Sequence, residues 1–246
     1  MKAFCDGGDL AEAVGRAIRA ISTRSNNPIL DNIRIEATEG TMVLTATDNE
    51  LTVTTGIVAD VSDGGVALVP GKLFSDFTRR LTGERIAMET AGSKLVLRYG
   101  DSESEFACAE PDDYPELTEV STSGSISMTK NALRDLINKV AFSVRTDDVR
   151  PILKGVLFEI GESTVTAVAL DGYRLAKCVK PLISATGEMK AVVPARCVNE
   201  IARLLDESDE EVRLYIGKGK VRADIGHTTI TSVLYEGEFV AYRNII

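Results

Sequence analysis

Four segments of the chain place apolar residues on one helical face, and the stretches between them alternate. In "DLAEAVGRAIRAI", residues 9–21, Leu10, Val14, Ala17, Ile18 and Ile21 share a face, and Asp9 and Glu12 stand at capping-box spacing. In "TKNALRDLINKV", residues 129–140, the face is Leu133, Leu136, Ile137 and Val140. Residues 71–82 set Leu73, Phe74, Phe77 and Leu81 opposite Lys72 and Arg79. Residues 195–205 set Val198, Ile201 and Leu205 away from Arg196, Glu200 and Arg203. Pro70 and Pro194 fall near the first turns of these last two helices. Short strands are expected at 3–5 and 125–127. β-branched runs with turns at Glu39-Gly40, Asp48-Asn49 and Asp63-Gly64-Gly65 predict more, as do "ERIAMET", "KLVLRYG" and "SEFACA".

The pattern repeats. "ILDNIRIE" (29–36) matches "ILKGVLFE" (152–159) at an offset of 123. "TATDNEL" (45–51) matches "VALDGYRL" (168–175) at 123 to 124, and "VPGKLFSDFTRRL" matches "VPARCVNEIARLL" at 124. Three matches in one order at nearly one offset, in 246 residues, predict two copies of one unit. The expected domains are 1–121 and 122–246, joined through the Ser/Thr/Gly-rich stretch 120–127. Each copy reads as βαβββ twice. The fold class is therefore α+β, with paired helices packed on antiparallel sheets.

Charge changes the picture. The chain carries −9 overall, which by itself argues against nucleic acid. The four predicted helices nevertheless hold Arg16, Arg19, Lys72, Arg79, Arg80, Lys130, Arg134, Lys139, Arg196 and Arg203 against five acids. Their net charge is +5, which leaves −14 for strands and loops. One such helix is an ordinary solvated face. Four of one sign in an acidic chain point to a shared basic surface for phosphates, read without sequence preference.

Catalytic chemistry is missing. His227 is the only histidine, and the four cysteines are scattered without a close pair, so no metal site or cofactor is expected. No Walker loop or GxGxxG occurs, and "GKGK" (217–220) reads as a hairpin turn. The acidic runs at 110–113 and 206–211 lack calcium-loop spacing and read as solvated loops. With no membrane-length apolar run and no leader pattern, a cytoplasmic, non-enzymatic protein is expected.

"NPILDNIRIEA", "TATDNELTV", "VPGKLFSDFTRRL", "DVRPILKGVLFE", "ALDGYRLAKC" and "VPARCVNEIARLL" resemble the bacterial sliding clamp, the β subunit of DNA polymerase III. The resemblance runs the length of the chain. It implies DNA-clamp (processivity-fold) domains that encircle double-stranded DNA, with helices lining the hole. It also implies tethering of DNA polymerase, clamp loader and repair proteins through short peptide motifs. Arg24 and Arg196 match DNA-contacting or inner-helix positions of the family. Bacterial members have three such domains, and this sequence covers two, so a fragment and a differently assembling two-domain chain both stay open. A clamp-like interaction module that does not encircle DNA is the alternative function.

The resemblance also implies half of a partner-peptide pocket: Leu153, Leu170, Gly172, Tyr173, Arg174, Leu175, Val240, Asn244 and Ile245. Leu153, Leu170, Leu175, Val240 and Ile245 would form an apolar well, with Tyr173 and Arg174 at its rim. Core packing is an equally open reading for Leu153 and Leu175. The family usually has proline at Val240 and a basic residue at Asn244. A ring joint between copies would pair the strand holding Lys177 and Lys180 with the strand holding Glu103 and Glu105, opposite in charge.

Overall fold

The first strand, β1 (Lys2–Asp6), runs directly into the first helix, α1 (Gly7–Ala17), and Asp6 is the hinge between them. Its side chain accepts hydrogen bonds from the Gly8 and Asp9 N–H groups at 2.7 and 3.0 Å. The cap is thus Asp6 rather than the expected Asp9, and Glu12 instead pairs with Arg16 one turn on. Asp6→Ala is expected to cost about 1 kcal/mol, the usual loss for an N-cap acid. Glu12→Gln, which removes only a surface pair, should stay within about 0.5 kcal/mol. Urea midpoints of the two variants check this ordering.

The computed structural model describes residues 1–22, 27–81, 83–117, 120 and 124–246. Two compact units emerge: Met1–Thr118 with His227–Thr229, and Glu119–Gly226 with Ile230–Ile246. The first unit continues with β2 (Asn32–Thr38), β3 (Thr41–Thr47), β4 (Leu51–Val58), β5 (Asp60–Asp63) and β6 (Gly65–Pro70). Then come α2 (Gly71–Thr78), β7 (Arg85–Ala91), β8 (Lys94–Tyr99) and β9 (Ser102–Ala107). The two halves exchange strands. β1 pairs with β7 of the second half, and β6 pairs with β2 of the first, both antiparallel. The resulting sheets run β5-β1-β7-β8-β9 and β4-β3-β2-β6. Buried residues alternate along the strands, as at Ile33, Ile35 and Ala37 of β2 or Ile86 and Met88 of β7. The apolar faces of α1 and α2 complete this core, with Leu10, Val14 and Phe74 fully buried.

The second unit repeats the plan. It contains β10 (Ser125–Thr129), α3 (Lys130–Asn138), β11 (Gly155–Ile160), β12 (Thr164–Leu170), β13 (Leu175–Pro181) and β14 (Ser184–Ala185). β15 (Met189–Pro194), α4 (Ala195–Leu204), β16 (Glu211–Gly217), β17 (Lys220–Ile225) and β18 (Thr228–Val233, of which Thr228 and Thr229 group with the first unit) follow. β10 pairs with β16, and β15 with β11. The "GKGK" stretch is the β16–β17 hairpin turn, with Gly217 opposite Lys220 and Gly219 at φ +73.

Several expectations need correction. Each copy has one more short strand than expected, because the chain changes sheets where the alternation shows no break. After β4 it crosses at Ala59, whose N–H donates to Gly40 O at 3.2 Å, and β5 joins β1 in the other sheet. After β13 it crosses at Leu182 and Ile183, and β14 joins β10. α2 stops at Thr78 rather than 82: the Arg79, Arg80 and Leu81 N–H groups close the end on Ser75, Phe77 and Thr78 carbonyls. Leu73, expected on the apolar face, is 59% exposed. Glu200, expected in solvent, is buried. Among the described residues, no helix is long and apolar enough to cross a membrane.

Candidate nucleic-acid interface and partner pocket

α1 packs on α2 and α3 on α4, so within each unit one helix pair presents its outer faces together. The cations on those faces differ in what already neutralises them. In the first unit Arg16 pairs with Glu12, and Arg79 reaches Asp76 at 3.7 Å and Ser75 Oγ at 3.3 Å. Arg19 is exposed in the short 3₁₀ turn Ile18–Ala20 that ends α1. Lys72, on α2, and Arg80, in the turn after it, are exposed with no ion-pair partner among the described residues. Arg24 lies outside the described residues.

In the second unit the neutralisation goes further. Lys139 and Lys180 both bond to Asp135, at 2.8 and 2.5 Å, and together they hold its carboxyl below the usual range. Arg203 pairs with the buried Glu200, and Arg196 is exposed. Lys130 is enclosed by Glu210 and by Asp206 at 3.2 Å, and Arg134 meets Glu207 at 3.1 Å. The expected solvated loop 206–211 therefore folds back onto α3. Bonds from Ser208 and then Lys130 bring the Asp206 carboxyl down to about 2. Counting charges helix by helix could not reveal this, because the acids come from another element.

The pocket residues separate into two places. Leu153 and Leu170, at 2% and 6% exposure, belong to a buried cluster with Leu157, Val168, Val192 and Tyr242. Leu175 and Val240 pack partly buried against it. The expected open well is thus largely core, and Ile245 stands apart, 61% exposed. Tyr242 was missed by sequence reasoning; its hydroxyl donates to Glu159 at 2.6 Å. Burial opposes charge on Glu159, but bonds from Tyr242, Lys190 and Arg243 outweigh it and hold its pKa low. Beside this tether opens a cavity of about 800 Å³, which Val240 and Asn244 line together with Leu157, Ile216, Tyr235 and Phe239.

The rim residues sit on the β12–β13 turn. Asp171 Oδ1 accepts from the Tyr173 and Arg174 N–H groups at 2.9 and 3.0 Å, and Oδ2 from Arg174 Nε at 2.9 Å. These bonds, the backbone ones first, lower the Asp171 pKa. Gly172 takes φ +101, where a side chain would be strained. Tyr173 is fully exposed, and the Arg174 guanidinium lies 5.7 Å from the centre of the exposed Phe142 ring. A turn held closed by the Asp171 carboxylate thus presents Tyr173 and Arg174 outward.

Among the described residues β9 and β13 are both edge strands, bonded only to β8 and β12. Their charges are engaged within their own units. Glu103 bonds Arg98 at 2.7 Å, Glu105 bonds Lys94 at 2.5 Å, Lys180 bonds Asp135, and Lys177 sits 5.9 Å from the Tyr242 ring centre.

The family model for the DNA polymerase III beta subunit N-terminal domain matches residues 1–118, and that for its central domain matches residues 127–240. The beta sliding clamp of Vibrio cholerae is 31% identical over 248 residues, covering 100% of this chain and 68% of that protein. The chain belongs to the DNA polymerase III beta subunit family. A second beta sliding clamp, from Salmonella typhimurium, is 32% identical over 91% of this chain and 62% of its own length. The chain thus spans less than two thirds of some beta sliding clamps. Among solved structures, the DNA polymerase sliding clamp of Bacillus subtilis superposes with a TM-score of 0.95 at 25% identity, over 100% of this chain and 67% of that one. The DNA polymerase III subunit beta of Pseudomonas aeruginosa gives 0.94 at 29%, over 100% and 68%. These beta-subunit structures match the repeated two-sheet, two-helix plan described above.

Proposed function

We propose that the chain acts as a non-catalytic DNA sliding clamp, or as two domains of one. It holds duplex DNA through phosphate contacts and tethers DNA polymerase, clamp loader and repair proteins that carry short peptide motifs. The observation that carries this reading is the match of successive beta-subunit domain models to the two repeats. Lys72, Arg80, Arg19 and Arg196, exposed on or beside the helices, are the leading phosphate contacts, and Arg24 joins them by resemblance. Tyr173, Arg174, Leu175, Val240 and Asn244 are the leading peptide contacts. Ring closure would use the free edges of β9 and β13. With Glu103, Glu105, Lys177 and Lys180 already engaged, such a joint rests on main-chain pairing more than on opposite charge.

A clamp-like module that binds proteins without encircling DNA is the second reading, favoured by the carboxylates that already neutralise Lys130, Arg134 and Lys139. Binding to two unrelated duplex sequences across a salt series separates the two. Clamp function predicts equal affinities and a linear fall of log affinity with log salt. No binding at low salt would favour the module.

A further inference from the structure

The loop between α4 and β16 differs from its counterpart in the first repeat. Between Leu81 and Arg85 the first copy has three residues, Thr82-Gly83-Glu84, with one acid. Between Leu205 and Glu211 the second has five, Asp206-Glu207-Ser208-Asp209-Glu210, with four acids. Both loops make the same backbone contact: Glu84 O accepts from Gly7 N–H at 2.9 Å, and Glu210 O from Lys130 N–H at 2.8 Å. The longer loop adds Asn131 N–H to Ser208 O at 3.1 Å, and Ser208 N–H to Asp206 Oδ1 at 2.9 Å. The two main-chain bonds, to Glu210 O and Ser208 O, pin the acidic loop against the start of α3, and the Asp206 side chain braces the loop itself. So pinned, it delivers Asp206 and Glu210 to Lys130, and Glu207 to Arg134. The Lys130 side chain is left 12% exposed. At the equivalent places α1 has Gly7 and Ala11, so the first repeat has no cation at either, and its loop carries the single acid Glu84.

We propose that the 206–210 loop is a built-in competitor for phosphate, an autoinhibitory contact that withholds Lys130 and Arg134 from duplex DNA and keeps the grip of the second unit weak. The proposal rests on the DNA-binding reading above. A bound phosphate must displace carboxylates already held in place, so the net gain per contact is small. A surface that binds loosely permits movement along DNA, and fixed counter-charges supply that looseness without loss of the basic side chains.

The test is a salt series of duplex DNA binding by the full chain and by the Asp206→Asn, Glu207→Gln, Glu210→Gln triple variant. These isosteric changes keep the backbone bonds that pin the loop, and a thermal melt verifies folding. Each cation freed adds about 0.9 to the slope of log affinity against log salt, so two steepen it by up to about 1.8. Adding Lys130→Gln and Arg134→Gln to the triple variant should return the slope to that of the parent. If the parent binds and the triple variant superposes on it, the autoinhibitory contact is refuted. If the gain survives loss of Lys130 and Arg134, it comes from overall charge and the contact is again refuted. If neither protein binds at low salt, the DNA-binding reading fails, and this inference with it.

Discussion

Phe74→Ala is expected to cost the first unit about 3–5 kcal/mol, the usual loss for a buried aromatic cut to a methyl. Phe74 is fully buried on α2. Its ring meets Phe106 of β9 edge-on, at 5.2 Å between centres and 88° between planes, and Phe106 in turn meets Phe77 at 5.1 Å. The cavity would open where the helix seats on the strand at the sheet edge, so α2 and β9 lose their mutual support together. Against a typical domain stability of about 5–15 kcal/mol, that loss approaches unfolding at moderate temperature. Phe77→Ala, at a half-buried position, should cost clearly less. Urea unfolding followed by a probe in each unit checks this, because two units need not melt in one transition. A Phe74→Ala loss under about 1 kcal/mol would contradict the packing described.

Lys72→Gln with Arg80→Gln is expected to weaken duplex DNA binding far more than Arg16→Gln with Arg79→Gln. All four residues are basic, and sequence alone ranks them equally. In the structure Arg16 and Arg79 already face Glu12 and Asp76, whereas Lys72 and Arg80 have no such partner among the described residues. Two lost phosphate contacts reduce the salt slope by about 1.8, or roughly 60-fold in affinity at 0.1 M relative to 1 M salt. The paired arginines should give a several-fold smaller change. Fluorescence anisotropy with a labelled duplex measures both. Equal losses from the two pairs would mean that local carboxylates do not gate the cations.

The repeats and all four helices were legible in the sequence, because one 3.6-residue period occurs four times and each copy corroborates the other. What escaped has physical causes. The Asp6 cap was missed because β1 enters α1 without a loop, and the capping-box spacing of Asp9 and Glu12 looked sufficient. The sheet change at Ala59 leaves the strand-like alternation unbroken, so one run was read where two strands exist. Leu153 and Leu170 were assigned to a pocket by resemblance, yet position alone cannot tell which side of a strand or turn is covered. Tyr242 covers it here, and only its place in an aromatic-rich tail, "EFVAYRN", hinted at that. The grip of 206–210 on α3 joins groups some 75 residues apart, beyond any local charge pattern.

Encirclement is the central claim, and topology tests it most directly. The protein is incubated with linear duplex, the ends are ligated into a circle, and the complex is challenged with high salt, which removes bound but unthreaded protein. A clamp should stay on the closed circle and be released when one cut linearises it. Equal loss from circle and line would contradict encirclement and leave a protein that merely touches DNA.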